Sequence, residues 1–276
     1  MTFSVQAATV RHGDVLALDD VSVSVEPGSV VVVVGGDGAG KTTLLRALVG
    51  ELVLEHGVVR APAPDRIGYL TASAGSWQSL TVRQNMDFVG GIYGLGGERL
   101  ERRREELLAR AGLTEAGDRL ASQLSGGMRR KLGFSMAMQH EPDLLVLDEP
   151  TTGVDPVSRI DLWRLVSEAA AAGAAVLMST TYLDEAERAG SLLVLDGGRT
   201  LAEGSLEQVR STLVGSITVA DRPHRSAWSW RRGRGFHEWW PSGEPLPGDV
   251  VPIEPDLEDV VVALSLQRRS ETAVAR

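Results

Sequence analysis

The 276-residue chain contains no cysteine. That excludes disulfides, Cys-ligated zinc and thiol chemistry, and it fits a reducing, cytosolic setting. Lysine is nearly absent as well. Of 28 basic side chains only Lys41 and Lys131 are lysines, so each invites the question of what an ammonium does there that a guanidinium would not. Long apolar runs are missing: Val30–Val34 is far short of the roughly 20 residues that a bilayer-spanning helix needs. The start, Met1-Thr2-Phe3-Ser4, has no basic stretch followed by an apolar one, so no signal peptide is expected. A formal net charge of −9 argues against nucleic acid as the main partner.

What is present reads as an ordinary globular chain, with 43% hydrophobic and 24% charged residues, which excludes collagen-like, coiled-coil and wholly disordered classes. The length allows one large domain or two modest ones. After Ala17-Leu18, the residues Val21, Val23 and Val25 alternate with polar neighbours at the period of a half-buried strand. Glu26-Pro27-Gly28 marks a turn. Ser29 to Val34 is then a β-branched run suited to a strand covered on both faces, as in a parallel sheet. Gly35 to Gly40 breaks the run, and Thr42 to Val49 is helical in pattern.

Downstream, Thr81-Val82-Arg83-Gln84 has the form of a capping box. Glu98 to Ala111 carries Leu100, Leu107 and Leu108 at helical spacing, with Gly112 suited to its end. Leu144–Leu147 and Val176–Met178 read as buried strands with a helix near 160–172 between them. Leu192–Leu195, Asp196-Gly197-Gly198 and Thr200–Ala202 read as a hairpin. Strands alternating with helices predict an α/β fold with a mainly parallel sheet.

After about residue 211 the texture changes. Trp228, Trp230, Trp239 and Trp240 lie with Arg222, Arg225, Arg231, Arg232 and Arg234 in a short Gly/Pro-rich stretch. The expectation is a small appended segment with weak regular structure, its aromatics packed on the main body. An interaction surface is the other reading, because exposed Trp and Arg favour interfaces. Single-strand binding is disfavoured, since residues 211–276 hold nine acids against eight Arg.

The chemistry concentrates at Gly35-Gly36-Asp37-Gly38-Ala39-Gly40-Lys41-Thr42, which matches G-x-x-x-x-G-K-[ST]. Glycines let backbone N–H groups curl around phosphate oxygens, and a helix N-terminus adds positive potential. Lys41 can reach the β- and γ-phosphates and Thr42 can ligate Mg²⁺. The strand Leu144–Leu147 ends in Asp148-Glu149, at the edge where α/β sheets place ligands. Asp148 can hold Mg²⁺ through water, and Glu149 can polarise an attacking water, as phosphoryl transfer requires.

Leu124-Ser125-Gly126-Gly127-Met128, followed by Arg129-Arg130-Lys131, resembles the LSGGQ signature of ABC-type ATPases in an LSGGM form. Gly153-Val154-Asp155-Pro156 is similar to the family's D-loop. The resemblance covers about residues 3–210. The stretch Leu257–Leu264 is similar to the tail of ATPases that serve drug and antibiotic exporters of the ABC-2 type.

The resemblance implies an α/β fold: a P-loop NTPase (RecA-like) core, an antiparallel β subdomain, an inserted helical subdomain at about 76–135, and a small C-terminal accessory segment. The expected division is 1–210 and 211–276. It also implies ATP hydrolysis coupled to transport, with ATP and Mg²⁺ as cofactors. Lys41, Glu149 and Thr181 fall on catalytic positions. His12, Gly35, Asp37, Gly38, Ala39, Gly40, Lys41, Thr42 and Thr43 fall on the nucleotide's own cradle, and Thr42 and Asp148 on the metal. Ser125, Gly126, Gly127 and Asp155 fall on positions that, in the family, meet ATP bound to the opposite subunit of a head-to-tail dimer. A separate integral-membrane permease, a homodimer or a heterodimer with another ATPase, and a place on the inner face of the cell membrane complete the expectation.

Three positions depart from the family pattern. His12 stands where an adenine-stacking aromatic is usual, and it also reads as an exposed loop residue. Ala72 follows Gly68-Tyr69-Leu70-Thr71 where Gln is usual, and Gln78 lies too far along to be taken as its substitute. Thr181 replaces the switch histidine with a shorter, uncharged donor. These losses imply a site that binds ATP and turns it over slowly, paired with a second ATPase through the LSGGM motif. A nucleotide-gated regulatory subunit without turnover, and a non-transport ABC ATPase, are the alternatives. Lys131, just beyond the signature, reads as a helix-surface charge.

Overall fold

The computed structural model describes residues 2–73 and 75–274. Met1, Ala74, Ala275 and Arg276 lie outside the described residues, and with them the outer ends of the expected ranges 1–210 and 211–276. Along the chain run β1 (Phe3–His12), β2 (Val15–Val25), β3 (Val30–Val34), α1 (Lys41–Leu48), β4 (His56–Arg60) and β5 (Ile67–Leu70). Next come α2 (Val82–Ile92), α3 (Gly97–Arg110), α4 (Gly126–Ala137), β6 (Leu144–Asp148), α5 (Pro156–Ala171) and β7 (Ala175–Thr180). The remainder is α6 (Leu183–Ala186), β8 (Ser191–Asp196), β9 (Arg199–Gly204), α7 (Leu206–Ser211), β10 (Ser216–Ala220), β11 (Ser229–Arg232), β12 (Gly235–Trp240), β13 (Val251–Ile253) and α8 (Leu257–Val274).

The central sheet has the order β5-β6-β7-β3-β8-β9, parallel except that β9 runs antiparallel to β8 as the expected hairpin. Its inner strands β6, β7 and β3 are buried on both faces, and successive residues serve opposite layers, as the pleat requires. Val31, Val33, Val146 and Leu177 face α1 and the antiparallel sheet β2-β1-β4. Val32, Val34, Leu147 and Met178 face the side that receives Leu132 and Phe134 of α4 and Leu162 and Trp163 of α5. That explains the unbroken Val and Leu runs: β6 and β7 are buried throughout, and β3 from Val31 to Val34.

Between β5 and β6 the chain leaves the sheet for three helices. Thr81 caps α2 as the sequence predicts: its hydroxyl accepts from the Gln84 N–H at 3.1 Å, and Gln84 Oε1 accepts from the Thr81 N–H at 2.9 Å. Gly112 follows α3 at φ 66°, where a side chain would strain the backbone. Lys131 is not a free surface charge. Its Nζ closes onto Asp161 Oδ2 at 2.6 Å, and its side chain is only 12% exposed, so it fastens α4 to α5.

The region beyond 211 corrects the expectation of weak regular structure. Four antiparallel strands form a sheet in the order β11-β12-β10-β13, and α8 follows. Trp239 packs with Ile217 and Ala263, and Trp228 and Trp230 join them. The Trp239 indole N–H donates to the Val214 carbonyl at 3.0 Å, and that of Trp240 to the Thr218 hydroxyl at 2.9 Å. The aromatics therefore build a local core instead of a flap on the main body. Apolar cross-strand pairs hold this sheet despite its Gly and Pro content. Leu257 and Val260 of α8 belong to the main core.

Candidate active site

The site lies at the carboxyl ends of β3, β6 and β7. Gly35–Gly40 joins β3 to α1, with Gly38 at φ 76° and Gly40 at φ 102°. A Cβ on Gly40 would come within 2.7 Å of the Ala17 carbonyl oxygen, so glycine is needed there for space as well as for φ. The turn delivers Lys41 as the first residue of α1. Its ammonium, 5% exposed, donates to the carbonyls of Gly35 (2.8 Å) and Gly36 (3.1 Å), and lies 3.2 Å from Glu149 Oε1.

Beside it, Thr42 Oγ1 donates to Asp148 Oδ2 at 2.9 Å. Ser179, at the end of β7, donates to Asp148 Oδ1 at 2.7 Å and accepts the N–H of Glu149 at 2.9 Å. Glu149 has φ 46°, a left-handed conformation for a residue with a side chain. Such strain costs on the order of 1–3 kcal/mol and persists only where neighbours hold it. Here Ser179 grips its N–H, and Thr152 Oγ1 donates to Oε2 at 3.0 Å. The left-handed turn swings the carboxylate out of the strand line toward Lys41.

Lys41, Thr42 and Glu149 border a cavity of about 340 Å³ that also takes in His12, Asp37, Gly38, Ala39, Gly40, Thr43 and the apolar stretch Val15–Ala17. His12 ends β1, and its Nε2 is 3.4 Å from Thr43 Oγ1. N–H groups of the loop, the N-terminus of α1 and an ammonium thus converge on one space, an arrangement that attracts polyphosphate. Thr181 is exposed just past β7. Because Val34 pairs with Thr180, Thr181 stands level with Gly35.

The signature residues form a second cluster. Ser125 caps α4 by accepting from the Met128 N–H at 3.3 Å. Asp155 caps α5 by accepting from the N–H groups of Val157 (3.1 Å) and Ser158 (3.0 Å). The hydrogen bonds from Ser158, foremost its N–H, hold the Asp155 carboxyl below its usual range. Gly126 is exposed, and Gly127 is buried so close to Ser158 that a Cβ would lie 2.5 Å from its hydroxyl. Ser125, Gly126, Gly127 and Asp155 do not line the Lys41 cavity.

Sequence reasoning passed over Ser179, which orients both acids. Its signal was a small polar residue ending an otherwise apolar strand. It also passed over Glu185, 1% exposed, which accepts from Thr151 and Thr180 (2.8 Å each) and pairs with Arg159 at 3.0 Å.

A phosphate loop opening onto a strand that ends in paired acids, on a parallel sheet, defines the chain as a P-loop nucleotide-binding protein. Residues 18–152 match the family model described as ABC transporter. The chain is 38% identical over 219 residues to the daunorubicin resistance ATP-binding protein DrrA3 of Streptomyces coeruleorubidus, covering 75% of this chain and 69% of that one. It is 35% identical to the Nod factor export ATP-binding protein I of Cupriavidus metallidurans, over 79% of this chain and 77% of that one. It is 36% identical to the probable multidrug ABC transporter ATP-binding protein YbhF of Escherichia coli, over 75% of this chain but 38% of that longer one. Among solved structures, an ATP binding subunit of an ABC transporter superposes with a TM-score of 0.70 at 27% identity, covering 77% of this chain and 93% of that one. An ATP-binding cassette in its ADP conformation gives 0.65 at 27% identity, over 74% and 91%. The chain belongs to the family of ABC transporter ATP-binding subunits. It is accordingly a nucleotide-binding ATPase coupled to transport, and a membrane permease is its partner. Among the described residues no helix is long and apolar enough to cross a membrane.

Proposed function

We propose that this subunit powers export of a drug-like or lipid-like molecule through a separate permease, working against the inner face of the cell membrane. Relatives named for daunorubicin resistance and for Nod factor export support the direction and the cargo class. The observation that carries the ATP-driven step is the linked set Lys41–Glu149 and Thr42–Asp148–Ser179, five residues from the start of α1 and the ends of β6 and β7, held by contacts of 2.7–3.2 Å. Thr42 and Asp148 bring two hard oxygens together, which fits Mg²⁺, an ion that takes one or two protein oxygens plus phosphate and water. Bound there, it would supply charge neutralisation to the terminal phosphates. This chain's part is to hold Lys41 against those phosphates and Glu149 where a water can lose a proton.

Ser125, Gly126, Gly127 and Asp155 sit apart from that cavity, which supports a head-to-tail dimer in which they meet the partner's ATP. Ala72 and Thr181 offer little to a γ-phosphate, which supports slow turnover at this chain's own site and a heterodimer with a second ATPase. Residues 1–210 would form the ATPase unit and 211–276 an accessory unit with its own small core.

The permease would dock on the helical segment near 76–135. Trp77 and Phe88 stack edge to face at 4.6 Å, yet are 42% and 47% exposed, and Ile92 beside them is 66% exposed. Buried Asn85 pins the Trp77 loop. It accepts from the Trp77 N–H (2.8 Å) and donates to the carbonyls of Trp77, Leu80 and Thr81. A rigidly presented apolar patch is the mark of a surface that a partner covers.

Affinity purification from the native membrane tests the whole reading. A permease and a second ATPase should come with the chain, and Trp77→Ser/Phe88→Ser should lose the permease while keeping ATP binding. Recovery of the chain alone would overturn it, and fast turnover by the chain alone would overturn the slow-site part.

A further inference from the structure

Arg130, in the turn of α4 beyond the signature, is a cation without an acid. Its guanidinium is half-buried, and its Nη1 donates to the Thr71 carbonyl at 3.3 Å. Among the described residues no carboxylate stands within ion-pair distance of it. Its neighbours on the same layer differ: Lys131 is closed onto Asp161, and Arg159 onto Asp184 and Glu185. A guanidinium carries five N–H donors, and a single carbonyl leaves most of them unused. A desolvated cation without a counter-charge is costly unless an anion arrives. Burial indeed holds Arg130 below its ordinary range, with Glu149 and then Asp148 pulling the other way.

Strand register fixes where this cation stands. Leu70 of β5 pairs with Leu147 of β6, so Thr71 and Asp148 are the next positions on strands about 4.8 Å apart. The carbonyl that Arg130 holds is therefore at the same sheet edge as Asp148, Glu149 and Lys41. Lys41, the other cation there, is already engaged by two carbonyls and Glu149. Ala72, directly after Thr71, is exposed and has no polar group to offer a phosphate.

We propose that Arg130 leaves the Thr71 carbonyl and binds the terminal phosphate of ATP held by this chain's own phosphate loop, supplying the polar contact that Ala72 does not. The planar fork of a guanidinium matches two phosphate oxygens, and such charge-assisted bonds are the strong ones. The contact distinguishes ATP from ADP, because only ATP places an anion there.

The proposal rests on the reading that Gly35–Thr42 cradles the phosphates, and the test separates the two. The full-length chain is titrated by calorimetry with MgADP and with the Mg complex of a non-hydrolysable ATP analogue. Arg130→Gln should weaken the analogue about tenfold and MgADP less than about twofold, the loss of one charge-assisted bond. Adding Ala72→Gln to Arg130→Gln should recover part of the analogue's affinity. Arg130→Lys keeps the charge without the fork and should give a smaller loss, again confined to the analogue. It carries the test if Arg130→Gln does not fold. Equal losses for both nucleotides, or unchanged affinity for the analogue, would overturn the role of Arg130. Failure of the unaltered chain to bind either nucleotide would instead overturn the phosphate-cradle reading beneath it.

Discussion

The ammonium of Lys41 lies 3.2 Å from Glu149 Oε1, a pair that closes the phosphate loop onto the acidic end of β6. Glu149 is turned toward it by a left-handed backbone that Ser179 and Thr152 hold in place. The pair sits where charge on a terminal phosphate would be met by Lys41 and a proton taken up by Glu149.

Glu149→Gln removes the proton acceptor and keeps the shape. The slow turnover at this chain's own site, read in the purified chain, should fall further by about 10²–10⁴, the usual worth of a general base. Nucleotide affinity should stay within a few-fold. Phosphate release and calorimetry read the two quantities separately, and loss of both together would assign Glu149 a structural role.

Ser179 is fully buried and serves Asp148 and the Glu149 N–H at once. Ser179→Ala leaves both without that partner, at a cost of about 1–3 kcal/mol. A lowered melting temperature should accompany a raised Mg²⁺ requirement for ATPase activity. A variant as stable as the parent, with an unaltered Mg²⁺ titration, would count against this orienting role.

Glu185 is 1% exposed and answered by Arg159, whose guanidinium also lies 4.3 Å over the Tyr182 ring. Arg159→Leu strands a buried carboxylate, and such losses run to about 3–5 kcal/mol. Arg159→Leu/Glu185→Gln removes the stranded charge and should recover much of that stability. Denaturant unfolding of the parent, both single variants and the pair gives the coupling directly.

His140 stacks on Tyr93 with ring centroids 3.6 Å apart and planes 4° from parallel, and its Nε2 lies 3.0 Å from the Ile67 carbonyl. Burial pushes its pKa down; the Ile67 carbonyl and Asp65 raise it, and Arg66 and Arg103 lower it. A lowered folded pKa means that the unfolded chain binds the proton first. Stability is then full above the ordinary histidine range near 6.5 and falls as pH drops through it toward the folded value. Melting should decline as pH falls through about 6.5, and His140→Gln should flatten that part of the profile.

Much of the site could be read along the chain because its parts are local. A phosphate cradle needs glycines, a cation and a hydroxyl in consecutive positions, and Gly35–Thr42 supplies them within one turn. Strands covered on both faces need unbroken Val and Leu, and the runs at β3, β6 and β7 are visible for that reason. The capping box at Thr81 and Gln84 and the hairpin of β8 and β9 are likewise short-range.

The remainder depended on residues meeting from a distance. The pairing of β10 with both β12 and β13 joins segments whose Gly and Pro content hid it, and only the packing of Ile217 and Trp239 across the strands and against Ala263 of α8 made a sheet of them. Lys131 looked like a surface charge until α5 brought Asp161 to it. The glycines, cation and hydroxyl of Gly35–Thr42 and the two acids at the end of β6 were legible along the chain, because those patterns act through neighbours along the backbone. Which serine orients the acids, which buried glutamate ties α5 to β7, and which arginine stands unpaired beside them were decided by tertiary packing. Burial and counter-charge are properties of the assembled layers, and no stretch of chain carries them alone.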